Sequence, residues 1–109
     1  MGRATPTDPD TASARLEAAF AANGASAAVA LRAPAFFFAV RGAFQAVLSP
    51  EISFDGGTSW IPVARDTSGS PVQVSAPVAM ALALPEAVVL GRVVCSGYVS
   101  GTPIARLSQ

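Results

Sequence analysis

Phe36-Phe37-Phe38-Ala39-Val40-Arg41-Gly42-Ala43-Phe44-Gln45-Ala46-Val47-Leu48 decides the fold class. Its first five residues form a short apolar run of strong β preference. After Arg41-Gly42, Phe44, Ala46 and Leu48 alternate with Gln45 and Val47, the period of a strand with one buried face. Ser49-Pro50 is expected to interrupt or bulge this strand before Glu51-Ile52-Ser53-Phe54 resumes it.

The same grammar continues downstream. Trp60-Ile61-Pro62-Val63-Ala64 reads as a returning partner strand, with Pro62 arguing for an edge or a bulge. Asp66 to Pro71 is a turn cluster; Val72-Gln73-Val74 and Val78 to Leu84 are further strands, split by Pro77. Pro85-Glu86-Ala87 turns into a strand from Val88 to Val99. Ser100-Gly101-Thr102-Pro103 is a hairpin loop before Ile104-Ala105-Arg106-Leu107. Upstream, Ser26, Val29 and Leu31 open an extended segment closed by Pro34. About seven or eight short strands at near-regular spacing predict a mainly β chain, an antiparallel β-sandwich of jelly-roll or Ig-like type.

Before residue 25 the pattern differs. Met1 to Asp10 is polar and proline-bearing, and is expected to be an extended arm. Asp8 or Asp10 can cap a helix, Pro9 suits a first turn, and Thr11 to Ala22 are good helix formers. Leu16, Ala19, Phe20 and Asn23 would share a face, and Asn23-Gly24 would stop the helix. The expected division is therefore an arm and short helix over 1–24 and a β-sandwich over 25–109.

Composition narrows the function. The 109 residues include seven acidic and seven basic side chains, all of the latter arginine, for a formal net charge of zero. No basic excess marks a nucleic-acid binder. There is no histidine and one cysteine, so histidine acid–base chemistry, Cys/His zinc sites and an internal disulfide are excluded. Cys95, in Val93-Val94-Cys95, reads as a small buried apolar group. Glu17, Glu51, Asp55, Asp66 and Glu86 show no acid-pair spacing. Phe20 to Val40 is broken by Asn23, Gly24, Arg32 and Pro34, which argues against a membrane span. No catalytic residue, metal site or cofactor is expected.

Charged residues make up only 13% of the chain, about half the usual ~25%. The alanine and arginine usage of a GC-rich genome would give a similar composition. So sparse a charged surface nonetheless favours association, and apolar surface outside a small core must lie against a neighbour. Leu16, Phe20, Phe36, Phe37 and Phe38 are the candidate partner contacts.

Ser53-Phe54-Asp55-Gly56-Gly57-Thr58-Ser59-Trp60 is the sharpest local motif. It has the spacing of the Asp-box of sialidases, Ser-x-Asp-x-Gly-x-Thr-Trp, with Ser59 in place of threonine. Asp55 can accept backbone N–H bonds across the turn, the glycines permit positive φ, and Trp60 can pack on the hairpin. Ser53, Asp55, Gly56, Gly57 and Trp60 are therefore expected to staple a turn. Sugar or calcium binding at Asp55 is the lesser alternative, since one carboxylate makes a poor calcium site.

Three stretches together resemble small β-rich structural proteins encoded among the virion genes of tailed bacteriophages and prophages. They are Arg41 to Leu48, Ser53 to Val63, and the ending Val94-Cys95-Ser96-Gly97-Tyr98-Val99-Ser100-Gly101-Thr102-Pro103-Ile104-Ala105-Arg106-Leu107-Ser108-Gln109. The resemblance spans roughly residues 40–109. It departs at Gly91, where an aromatic strand residue would be expected, and at Pro103 inside the last hairpin.

The resemblance implies a non-enzymatic virion component, of capsid decoration, head-fibre or spike type. Such a part would assemble through its N-terminal arm and strand edges with copies of itself and with other virion proteins, the major capsid protein foremost. A tail or head–tail connector component is the alternative within the particle. A carbohydrate-binding sandwich, with Trp60 and Tyr98 stacking on a glycan, is the alternative outside it.

Overall fold

The computed structural model describes residues 15–64, 70–84 and 88–109, with nine strands among them. They are β1 (Arg15–Ala19), β2 (Gly24–Ala25), β3 (Val29–Arg32), β4 (Ala35–Arg41), β5 (Phe44–Ser53), β6 (Ile61–Pro62), β7 (Val78–Ala83), β8 (Val88–Gly101) and β9 (Ile104–Ser108). Two antiparallel sheets result. One has the order β1-β9-β4-β7; the other runs β2-β8-β5-β6, with β3 also paired to β8. The inner faces share one core, to which Phe36, Phe38 and Leu107 contribute from the first sheet and Leu31, Leu48 and Val93 from the second.

Alternation explains β4 directly. Phe36, Phe38 and Val40 point inward and are buried, while Phe37 faces out at 57% exposure. Side chains one residue apart lie on opposite faces of a strand, so the three consecutive phenylalanines cannot share a role.

The expected helix is not present where the chain is described. Arg15–Ala19 is a strand, paired with β9 from Arg15↔Ser108 to Ala19↔Ile104. Phe20 continues it, donating its N–H to the Pro103 carbonyl at 3.0 Å. Leu16, Ala18 and Phe20 alternate toward the core, and Phe20 is 7% exposed. An isolated helix of this length is marginal in water, and helix propensity is a weak prior. Pairing with β9 satisfies the backbone and buries Leu16 and Phe20 together, so the strand wins. Gly24, expected to stop a helix, instead opens β2 opposite Cys95. The expected boundary after residue 24 thus falls inside β2, between Gly24 and Ala25. The arm over Met1 to Asp10, the Asp8 and Asp10 caps and the helix start at Thr11 lie outside the described residues.

Pro50 does not interrupt β5. The strand is continuous from Phe44 to Ser53, and its register shifts between Gln45 and Val47 instead. Pro50 faces Val93, whose own N–H and C=O turn away to the Ser26 hydroxyl and the Ser26 N–H. On the other side Pro50 only accepts, from Val63 N–H at 3.1 Å, while the Val63 carbonyl receives Val72 N–H at 2.9 Å. No acceptor is therefore left waiting for the N–H that proline lacks. Val72–Val74, expected as a strand, contributes one isolated bridge, Leu48↔Val74, with a second, Ala64↔Pro71, just before it.

One position departing from the resemblance, Gly91, is explained by space. A Cβ on Gly91 would lie 2.4 Å from Leu31 Cδ1, so no aromatic fits there. Pro103 is buried at the β8–β9 turn, next to Gly101, whose φ is +89° and whose added Cβ would strike the Ala43 carbonyl.

Candidate functional site

The Ser53–Trp60 hairpin connects β5 to β6 and is held by its own polar groups. Ser53 is 2% exposed. Its Oγ accepts from Gly57 N–H at 2.8 Å and from Asp55 N–H at 3.4 Å, and donates to Asp55 Oδ1 at 2.7 Å. Asp55 Oδ1 also accepts the Ser59 N–H at 2.9 Å, and Oδ2 accepts the Ser59 hydroxyl. Gly56 and Gly57 have φ of +74° and +99°, values that L side chains resist. Trp60 Nε1 donates to the Gly57 carbonyl at 3.1 Å.

These bonds set the charge of Asp55. The Ser59 hydroxyl, then the Ser59 N–H, then the Ser53 hydroxyl hold its carboxyl down to about 2. Hydrogen bonds to the ionised form favour it. Ser59, which stands in the threonine position, supplies the two largest of these effects.

Strand register adds two residues that spacing along the chain does not reveal. Glu51 on β5 stands opposite Arg92 on β8. Arg92 Nε and Nη2 donate to Glu51 Oε1 at 3.0 and 2.8 Å. The same guanidinium lies over the Trp60 ring, 4.3 Å from its centroid. Glu51 and Arg92 are 41 residues apart, so only the pairing of β5 with β8 brings them together. Phe54 and Ile61 flank the turn, each 46% exposed.

Chemically this is a rigid polar turn with an apolar rim. The Ser53 hydroxyl is buried and committed to the turn, and among the described residues no three His, Cys, Asp or Glu side chains gather as a metal site. Cys95 is a buried free thiol, and burial pushes its pKa up.

The other sequence-derived candidates are dispersed. Phe20, Phe36 and Phe38 belong to the core and Leu16 packs against it, so of the five expected partner contacts only Phe37 faces solvent. Trp60 gives one ring face to Arg92. Tyr98 donates its hydroxyl to the Gly101 carbonyl at 2.7 Å. Trp60 sits near Leu90 on β8 and Tyr98 lies eight residues further along that strand, roughly 26 Å at strand rise. The two rings do not form one platform.

No family model matches the chain, and neither a curated protein nor a solved structure matches it.

Proposed function

We propose that this chain is a non-enzymatic structural component of a tailed-phage or phage-like particle, carried on the capsid surface as a decoration, head-fibre or spike protein. One observation carries the proposal, namely the strand order. With β2 and β3 counted as one interrupted strand, β1-β9-β4-β7 against β2/β3-β8-β5-β6 is the order of an eight-stranded jelly-roll sandwich. The chain crosses between sheets after β1, β3, β4, β6, β7 and β8, as two interlocked Greek keys require. Jelly rolls build viral capsid and lectin domains. Low charge, a histidine-free sequence and the resemblance of residues 40–109 add support for the particle.

A glycan-binding role has less support, because Trp60 and Tyr98 are each engaged internally and lie far apart. The test is quantitative mass spectrometry of intact particles made by the genome that encodes the chain. A copy number near that of the major capsid protein is expected. A far lower number would move the chain to the tail or connector, and its absence from particles would overturn the proposal.

A further inference from the structure

We propose that two copies of this chain associate by pairing β7 with itself, antiparallel about a two-fold axis at Met80. The four-stranded sheet then continues into that of its mate. This rests on the assembly reading above and names the edge and the occupant.

The observation is a contrast among sheet edges. Exposed strand edges recruit other strands, and soluble proteins blunt them with charge, proline, bulges or brevity. Three of the four edges among the described residues are blunted in these ways. β1 carries Arg15 and Glu17, the latter paired with Arg41 at 2.9 Å. β2 and β3 are separated by residues 26–28 and end on Arg32. β6 has two residues, and one is Pro62. β7 has none of these protections. Val78-Ala79-Met80-Ala81-Leu82-Ala83 contains no charge and no proline, and its six pairs with β4 run without a register shift. Within the described residues it is the terminal strand of its sheet.

Face parity narrows the register to two-fold axes that pass through a residue. Val78, Met80 and Leu82 stand opposite Val40, Phe38 and Phe36, on the core side; Ala79, Ala81 and Ala83 point out. Pairing must keep like faces together, because a slip of one residue would exchange them. A two-fold axis at Met80 does so. Val78 then faces Leu82 of the second copy, and Ala79 faces its Ala81. Pro77 and Pro85, which lack N–H donors, bracket the paired segment. On the outer surface, exposed Phe37 and Ala81 of one copy run into Ala79 and Ala39 of the other, an unbroken apolar row.

Charge favours a second copy as the occupant. The strand is neutral, so it gains nothing from a charged partner, and the chain's zero net charge gives copies no mutual repulsion. Five paired residues per copy and one surface row are small beside the roughly 1,200 Å² of a standard interface, so the dimer is concentration-dependent.

Sedimentation velocity of the full chain, from low to high micromolar, should show a monomer–dimer shift. Ala79→Lys with Ala81→Lys, both on the exposed face, should weaken it at least tenfold with the melting temperature kept. Ala19→Lys, outward on β1 at the opposite edge, should leave it unchanged. Met80→Cys should yield a covalent dimer on oxidation, since directly opposed strand residues lie about 4.5–5.5 Å apart, within disulfide reach. Ala83→Cys, opposite Pro77, should not. A monomer at every concentration, association indifferent to the lysines, or cross-linking at position 83 instead of 80 would overturn the inference. Dimers through β7 in a chain absent from particles would sink only the virion proposal, and a virion chain that stays monomeric would sink only this one.

Discussion

Arg92 rests its guanidinium 4.3 Å from the centre of the Trp60 ring while both its Nε and Nη2 hold one oxygen of Glu51. The ion pair is partly buried, with side-chain exposures of 26% and 21%. It ties the hairpin to the near end of the β8–β5 ladder, two pairs before Ser53↔Leu90. A double-mutant cycle of Arg92→Ala and Trp60→Leu in urea should give a coupling of about 0.5–1 kcal/mol. A coupling of zero would mean that the ring and the guanidinium are merely neighbours.

Acid should loosen the same hairpin. Asp55 is held down to about 2 from an ordinary 3.8. A depressed carboxylate favours the folded turn at pH above its unfolded value and loses that advantage as pH falls through the folded one. Trp60, the chain's single tryptophan, should report a fluorescence change between about pH 4 and pH 2. Asp55→Asn should flatten it. An identical acid transition in that variant would remove Asp55 as its source.

Gly91 should tolerate no side chain. Gly91→Ala drives a methyl into Leu31, which is fully buried, and should cost about 1–3 kcal/mol in chemical denaturation. Leu31→Val should recover part of that loss in the double variant, since it removes the colliding branch. Simple additivity would point to backbone distortion instead.

The side chain of Gln109 fastens the turn between β3 and β4. Its Oε1 accepts Arg32 N–H at 2.9 Å, and its Nε2 donates to the Arg32 and Ala35 carbonyls. Gln109→Glu keeps the acceptor but sets a carboxylate against two carbonyls. It should destabilise more than Gln109→Ala, which costs about 1 kcal/mol. Hydrogen exchange at the Arg32 amide should quicken in the alanine variant. Unchanged exchange would show that another group protects it.

The β character of this chain is legible where alternation is strong. Phe36 to Leu48 and Val78 to Leu84 announce strands by residue type and period, and Ser53 to Trp60 announces its turn by the positions of Asp55, Gly56 and Gly57. Arg15 to Phe20 is ambiguous by nature. Leu16 and Phe20 are four apart, a helical interval that is also an even one, and only the edge of β9 decides between them. Pro50 misleads for a related reason, because its harmlessness depends on where Val63 and Val93 turn their own polar groups. Glu51–Arg92 and Gln109–Arg32 are invisible to local spacing, since each is made by strand register or by the end of the chain returning to an early turn.

Pairing of Arg15 with Ser108 sets the first described strand beside the last. The described strands therefore begin and finish at one corner, and a linker of a few residues could join Arg15 to Gln109. The sandwich could then be reopened at a surface loop with its ladders intact. Passengers joined directly at Arg15 and at Ser108 would leave the sandwich on the same side.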